Sequence, residues 1–335
     1  MRAIGFKTSH EIEHQESLIE FEVDKPSAEN FDIVVKVNAV SMNPVDTKVR
    51  ANSAKDIVLD KPKILGYDGI GIVESIGKDV TTCEIGDKVF YAGDVTKSGS
   101  NSEFQVIDSR ITALAPKSIN DLEAVVLPLT SLTAWEALFD RMHIEPNENK
   151  TILIIGGAGG VGSIATQILK TVTNLTVIAT ASREETILWC KDMGADHVVN
   201  HRDLVNSVKE AGFEQVDYIF NVADTYMHWD AMAELIAPQG KICSIVDTSK
   251  SIDINKLKTK SVTFIWEFMF TRSMFNTSDI EKQHKILTKI ASLVDDEKIK
   301  STLTKTYEGF SVDNFKEAHK VSESGKAVGK IAISF

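Results

Sequence analysis

The run Gly156-Gly157-Ala158-Gly159-Gly160-Val161-Gly162 follows directly on the apolar stretch TILII and leads straight into VGSIATQILKTV. Within it Gly157, Gly159 and Gly162 keep the spacing G-x-G-x-x-G. Glycines so spaced allow a tight turn, let the backbone approach a pyrophosphate, and let a helix lie close on a strand. The N–H groups that open the helix, at Gly160, Val161 and Gly162, then face the phosphates, aided by the helix dipole. A glycine-rich turn is also an ordinary β–α connection, so the motif alone does not decide. The strand before it, the helix after it and the alternation that follows are the context a dinucleotide site requires.

The next strand pattern, VIATA, runs into Ser182-Arg183. A site for NAD expects an acidic side chain here, bonded to the ribose 2′-OH. A hydroxyl and a guanidinium suit a 2′-phosphate instead, which a carboxylate would repel. Glu184 and Glu185 come later and open the next helix, where acidic residues are favourable. NADPH is therefore the expected cofactor. Asn221-Val222, Val246 and Ile265-Trp266 stand at the ends of later strand patterns, where ligands of an open parallel sheet gather.

These residues need a scaffold, and the pattern around them supplies one. From Thr151 onward apolar strands (TILII, LTVIATA, DHVVN, VDYIFNV, KICSIV and a closing SVTFIW) alternate with helical stretches. Such alternation predicts an α/β fold of Rossmann type, a doubly wound parallel sheet covered on both faces. The first 125 residues or so differ, with short β-branched strands such as IVVKVNAVSM, GIGIVESIG and KVFYAG, and predict a β-rich module. DLEAVVLPLTSLTAWEALFDRM, from Asp121, has helical spacing. The tail is mixed: a helix near DIEKQHKILTKIASLVDD, a strand at LTKTYEGF, a helix at VDNFKEAHKVSE and a strand at GKIAISF.

Composition narrows the class. With 37 basic and 48 acidic residues in 335, the formal charge is −11. An acidic surface repels nucleic-acid phosphates and anionic lipid, and no basic patch offsets it. No apolar run reaches the roughly 18 residues of a membrane span, and the N-terminus lacks a secretory stretch. Cys83, Cys190 and Cys243 are scattered and odd in number, which supports neither a disulfide framework nor a cysteine-rich zinc site. A soluble protein of the cytoplasm, binding neither nucleic acid nor membrane, is expected.

Asn43-Pro44-Val45-Asp46, Gly66-Tyr67-Asp68-Gly69-Ile70-Gly71 with Gly77, Leu132-Thr133-Ala134 and the glycine-rich turn together resemble the medium-chain dehydrogenase/reductases. The resemblance is to the quinone oxidoreductase branch related to zeta-crystallin, and within it to a bacterial zinc-type alcohol dehydrogenase-like subgroup. It implies a GroES-like catalytic domain of residues 1–124 and 268–335, around a Rossmann domain of residues 125–267. It also implies that Thr133 lies against the nicotinamide, that Asp46 lines the cleft, and that the protein is a homodimer or homotetramer.

Relatives that use catalytic zinc hold it with a Cys, a His and a second Cys. The matching positions here are Asn43, Tyr67 and Leu129. Zinc needs good N, S or O donors and an open position, which this set does not offer. The four-cysteine run of a structural zinc lobe is also missing. No metal is expected. Without a Lewis acid, the substrate itself must already accept hydride, as a quinone or an α,β-unsaturated carbonyl does. Asn43 and Tyr67 then become candidate donors to the developing oxyanion. Each has a plain alternative: Asn43 shaping a turn before Pro44, Tyr67 packing on its apolar body. An enoyl or alkenal reductase, a zinc alcohol dehydrogenase and a non-catalytic NADPH-binding protein are the rival readings.

Overall fold

The alternating segments of the N-terminal part become strands where their pattern predicts. In this computed structural model, which describes every residue except Ser249, β1 (Arg2–Phe6) pairs antiparallel with β2 (Ile19–Glu22). The eleven-residue β3 (Asp32–Met42) buries most of its side chains and runs into α1 (Pro44–Asn52). β4 (Lys63–Ile64) closes a small sheet on β1. β5 (Asp68–Ile76), β6 (Lys88–Tyr91), β7 (Phe104–Asp108) and β8 (Thr112–Leu114) extend a second sheet from β3. The stretch of helical spacing from Asp121 folds as more than one helix. Pro128 has no N–H to continue the ladder, so α2 (Asp121–Val125) stops and α3 (Pro128–Trp135) begins afresh. The last six residues, Glu136–Arg141, wind as a π-helix.

The alternating stretch forms its own compact unit, Thr133–Met269. Its strands are β9 (Thr151–Ile155), β10 (Thr176–Thr180), β11 (His197–Val199), β12 (Val216–Asn221), β13 (Ile236–Ser244) and β14 (Thr263–Trp266). All pair in parallel, in the order β11-β10-β9-β12-β13-β14. This is the doubly wound order, reversing direction beside β9. α4 (Gly160–Val172), α5 (Glu184–Asp192), α6 (Leu204–Glu210) and α7 (Thr225–Leu235) are its helices. Leu153, Ile178, Ile219, Trp229 and Ile242 pack in one buried cluster of this unit.

The tail returns to the first unit, which comprises Met1–Leu132 and Phe270–Phe335. It contributes the one-turn α8 (Thr271–Met274), α9 (Lys282–Asp295), β15 (Leu303–Glu308), α10 (Val312–Glu323) and β16 (Lys330–Ser334). β16 lies between β15 and β3, parallel to one and antiparallel to the other, with Ile331 opposite Met42. The sheet therefore reads β15-β16-β3-β5-β6-β8, with β7 also on β3. This register carries Lys330 to the start of α1, a placement that sequence distance conceals. Contrary to the composition reading, one helical stretch, Asp121–Arg141, is long and apolar enough to cross a membrane. Its apolar window is 78% buried inside the protein, as a core helix would be.

Candidate functional site

In the first unit a set of buried polar side chains gathers where β3 ends and β5 starts. Asn43 caps α1, and its backbone N–H donates to Asp46 Oδ2 at 2.8 Å. The other oxygen of Asp46 accepts from Gly66 N–H at 3.1 Å. Gly66 takes φ +96, and a Cβ there would meet Asn101 Oδ1 at 2.2 Å, so glycine is required. Asp46 thus ties α1 to the residue before Tyr67. Burial pushes its carboxyl up to about 7, opposed by the Asn43 N–H, Lys330 and the Gly66 N–H.

Asp68, fully buried, accepts from Leu129 N–H through Oδ1 at 2.8 Å and from Asn43 Nδ2 through Oδ2 at 2.8 Å. Lys330 completes the set. Its ammonium donates to Met42 O at 2.7 Å, Asn43 Oδ1 at 2.5 Å and Asp68 Oδ2 at 3.2 Å. Both amide hydrogens of Asn43 are therefore engaged, since Nδ2 also reaches Ser41 O at 3.3 Å. This corrects the expectation that Asn43 donates to a substrate: it has no hydrogen left for one. Asp46 likewise has both carboxylate oxygens engaged by backbone N–H groups, those of Asn43 and Gly66.

Tyr67 is different. Its ring is buried and meets Phe270 edge to face, with centroids 5.2 Å apart. Its hydroxyl has no hydrogen-bond partner among the described residues. Burial, with Asp46 and Asp94 nearby, raises its pKa, so it stays a neutral O–H donor. A buried donor without an acceptor is costly unless something else fills the gap.

In the second unit the glycine-rich turn forms as its pattern predicts. Gly156, at φ +93, ends β9, and its N–H donates to Thr180 Oγ1 at 2.9 Å. A Cβ on Gly162 would lie 2.4 Å from Gly156 O, and one on Gly157 would lie 2.8 Å from the Ala179 Cβ. Both are close-packing glycines. Gly159, the N-cap of α4, would meet only Gly156 O, at 3.6 Å, so its open side is free for a phosphate. Gly160 and Val161 open the helix beside it.

Ser182 and the exposed Arg183 lie between β10 and α5. Because all six strands are parallel, their carboxyl ends share one edge of the sheet. Asn221, Val222, Val246, Ile265 and Trp266 all stand at or just beyond those ends. Asn221 is fully buried there, with Nδ2 donating to Thr225 Oγ1 at 3.1 Å and Ser244 Oγ at 3.3 Å. It braces the edge. Thr133, two residues before the end of α3, is buried. Glycines and helix N-terminus thus fit a dinucleotide phosphate.

One-dimensional reading missed two features. Lys330 lies in a strand pattern with no motif. Glu136, Arg141 and Glu267 meet in the second unit: Arg141 Nε donates to Glu267 Oε2 at 2.8 Å, and the Glu136 carboxylate lies 3.9 Å from the guanidinium. Both glutamate side chains are fully buried. Desolvation, then the charge of Glu136, pushes the Glu267 carboxyl up to about 8.

With the geometry in place, comparison with known proteins is decisive. The family model described as an alcohol dehydrogenase GroES-like domain matches residues 29–113, and that of zinc-binding dehydrogenases matches residues 193–333. A zinc-type alcohol dehydrogenase-like protein of Staphylococcus aureus is 46% identical over 339 residues, covering 100% of both chains. The chain belongs to the medium-chain dehydrogenase/reductase superfamily.

A protein of this superfamily from Rhizobium etli, described as a zinc-dependent alcohol dehydrogenase, superimposes with a TM-score of 0.95 at 44% identity, over 100% of this chain and 98% of that one. The Escherichia coli quinone oxidoreductase complexed with NADPH shares the fold, with a TM-score of 0.85 at 23% identity over 100% of both chains. A 2-methylene-furan-3-one reductase of Solanum lycopersicum is 27% identical over 94% of this chain and 74% of its own. This dehydrogenase/reductase is thus an oxidoreductase with a nicotinamide-type cofactor site. Zinc does not fit it by donor chemistry. Leu129 offers a backbone N–H already used by Asp68, and the Asn43 amide is closed by Lys330. Among the described residues, no three His, Cys, Asp or Glu side chains come together as metal ligands.

Proposed function

We propose that this dehydrogenase/reductase uses NADPH to reduce quinones or related conjugated carbonyls, without zinc. One observation carries the reading: the buried hydroxyl of Tyr67 has no hydrogen-bond partner among the described residues. A neutral O–H held ready for an acceptor is the group needed to stabilise an oxyanion as it forms. Bound NADPH supplies the hydride. The protein's own part is to place and protect. Tyr67 donates a hydrogen bond to the carbonyl oxygen, so that charge developing there is stabilised without a metal. Phe270 holds the phenol ring, and Asp46, through Gly66, holds the backbone leading into it.

The glycine-rich turn and the start of α4 hold the pyrophosphate, and Ser182 with Arg183 favours a 2′-phosphate. Asn221, Val222, Val246, Ile265, Trp266 and Thr133 flank the nicotinamide half. The likeness to 2-methylene-furan-3-one reductase supports conjugated carbonyls as substrates, and the likeness to quinone oxidoreductase supports quinones. A homo-oligomer goes with this reading: β14 is the sheet's edge strand, and Trp266 and Phe268 are each about half exposed beside it. Light scattering on the purified chain checks the assembly.

The test of activity is NADPH oxidation with 1,4-benzoquinone and with a simple enone, after treatment with a strong chelator. Turnover that survives chelation, with NADPH preferred over NADH, is the expected result. Activity lost to the chelator and restored by zinc would sink the proposal. No turnover with either acceptor would favour a non-catalytic, NADPH-binding role.

A further inference from the structure

We infer that the Lys330 ammonium is the built-in cation of this site, filling a cradle of oxygens formed by the Met42 carbonyl, the Asn43 amide and the Asp68 carboxylate. The inference stands whichever acceptor the enzyme reduces.

An ammonium has three N–H donors and no acceptor. Lys330 finds three oxygens, at 2.7, 2.5 and 3.2 Å, and is 5% exposed. Nothing on the cation is left over. The oxygens are arranged as a cation site would be: one backbone carbonyl and one side-chain carbonyl from the consecutive residues Met42 and Asn43, and one carboxylate from Asp68 on β5. Asp68 is in turn held by Leu129 N–H and by Asn43 Nδ2, so its charge is matched and fixed.

A charge this deep is tolerated only when paired and fully hydrogen-bonded, and removing one partner strands the other. A divalent ion could satisfy the same oxygens, but an ammonium differs in consequence. It has no open coordination position and cannot take a substrate oxygen as a ligand. Lys330 is therefore a positioning residue. It holds β16, the start of α1, the start of β5 and the start of α3 in one arrangement, and leaves Tyr67 as the free donor beside them.

The experiment removes the arm and returns it as a small molecule. Lys330→Ala deletes the equivalent of propylammonium. The variant is expected to unfold at a midpoint several degrees below wild type, and propylammonium chloride at tens of millimolar is expected to recover most of the shift. Tetramethylammonium, which carries the charge but no N–H donor, and neutral propanol are expected to recover little. Equal recovery by propanol would overturn the inference, because only the apolar arm would then matter; so would no recovery by propylammonium in a soluble variant.

If Lys330→Ala does not fold, Lys330→Met alone and combined with Asp68→Asn replaces the test. The double variant should be more stable than Lys330→Met alone, since it removes the stranded charge. A double variant that is no better overturns the inference. Metal analysis of chelator-washed wild-type protein should find far less than one zinc per chain, and a full equivalent would also overturn it.

Discussion

Tyr67 and Asn43 were equal candidates as residue types, and their surroundings separated them. Asn43 has all its side-chain hydrogen-bonding capacity engaged in the buried set, whereas Tyr67 holds a hydroxyl with no partner among the described residues. Replacing Tyr67 by Phe should therefore do two opposite things. Turnover should fall by about 10- to 100-fold, at or below the usual loss of an oxyanion donor. Stability should rise by roughly 1 kcal/mol, because an unsatisfied buried polar group is removed. Steady-state kinetics and denaturant unfolding on the same preparation check both, and unchanged turnover would assign Tyr67 to packing. Asp46→Asn should cost about 1–3 kcal/mol in unfolding, because one of the two backbone N–H groups facing the carboxylate would meet an NH₂ group.

At the scale of an element, the turn from β9 to α4 combines two uses of glycine. Gly162→Ala drives a methyl against the Gly156 carbonyl at 2.4 Å, where backbone must move. It should destabilise the protein by roughly 1–3 kcal/mol, as overpacking does. Gly159→Ala meets nothing closer than 3.6 Å and leaves φ at −77, so the fold should persist while NADPH binding weakens. Thermal unfolding and fluorescence titration with NADPH separate the two effects. The motif was legible in the sequence because strand, turn and helix are adjacent in the chain. The break in the helix from Asp121 was only partly legible: Pro128 marks it, but the apolar periodicity on both sides conceals it. β1, β2 and α1 escaped notice because they are short and their patterns are weak.

At the scale of the whole molecule, buried ionisable groups shape the pH dependence of stability. Glu267 has a folded pKa of about 8 against an ordinary 4.5, so the folded state binds the extra proton between those values. Stability therefore falls as pH rises through that window. His319 is the reverse case: fully buried, without a partner for either ring nitrogen among the described residues, and held down to about 3 by burial and by Arg50. The unfolded chain binds its proton first, so stability falls as pH drops below about 6.5. Glu267→Gln should flatten the alkaline side between pH 6.5 and 8 or so. His319→Leu should gain more at pH 5 than at pH 8, by up to about 1.4 kcal/mol for each pH unit below the unfolded pKa. Unfolding midpoints across pH 4–9 for the three proteins check the pair. Identical slopes would show that other groups dominate.

The sequence by itself determined what depends on neighbours along the chain: the strand–helix alternation, the glycine-rich turn that joins β9 to α4, and the change of character near residue 125. It also showed that Asn43, Tyr67 and Leu129 are poor zinc donors, since that follows from residue type alone. Tertiary structure decided which of the polar candidates remains free. Lys330 is 262 residues from Asp68, and only the pairing of β16 with β3 brings its ammonium to the carboxylate. Glu136 and Glu267 likewise share one guanidinium, Glu136 from the same helical stretch as Arg141 and Glu267 from 126 residues away. The physical reason is the same in both cases. A local pattern records the face a residue presents, whereas the charge, burial and partners that set its chemistry come from segments the fold brings together.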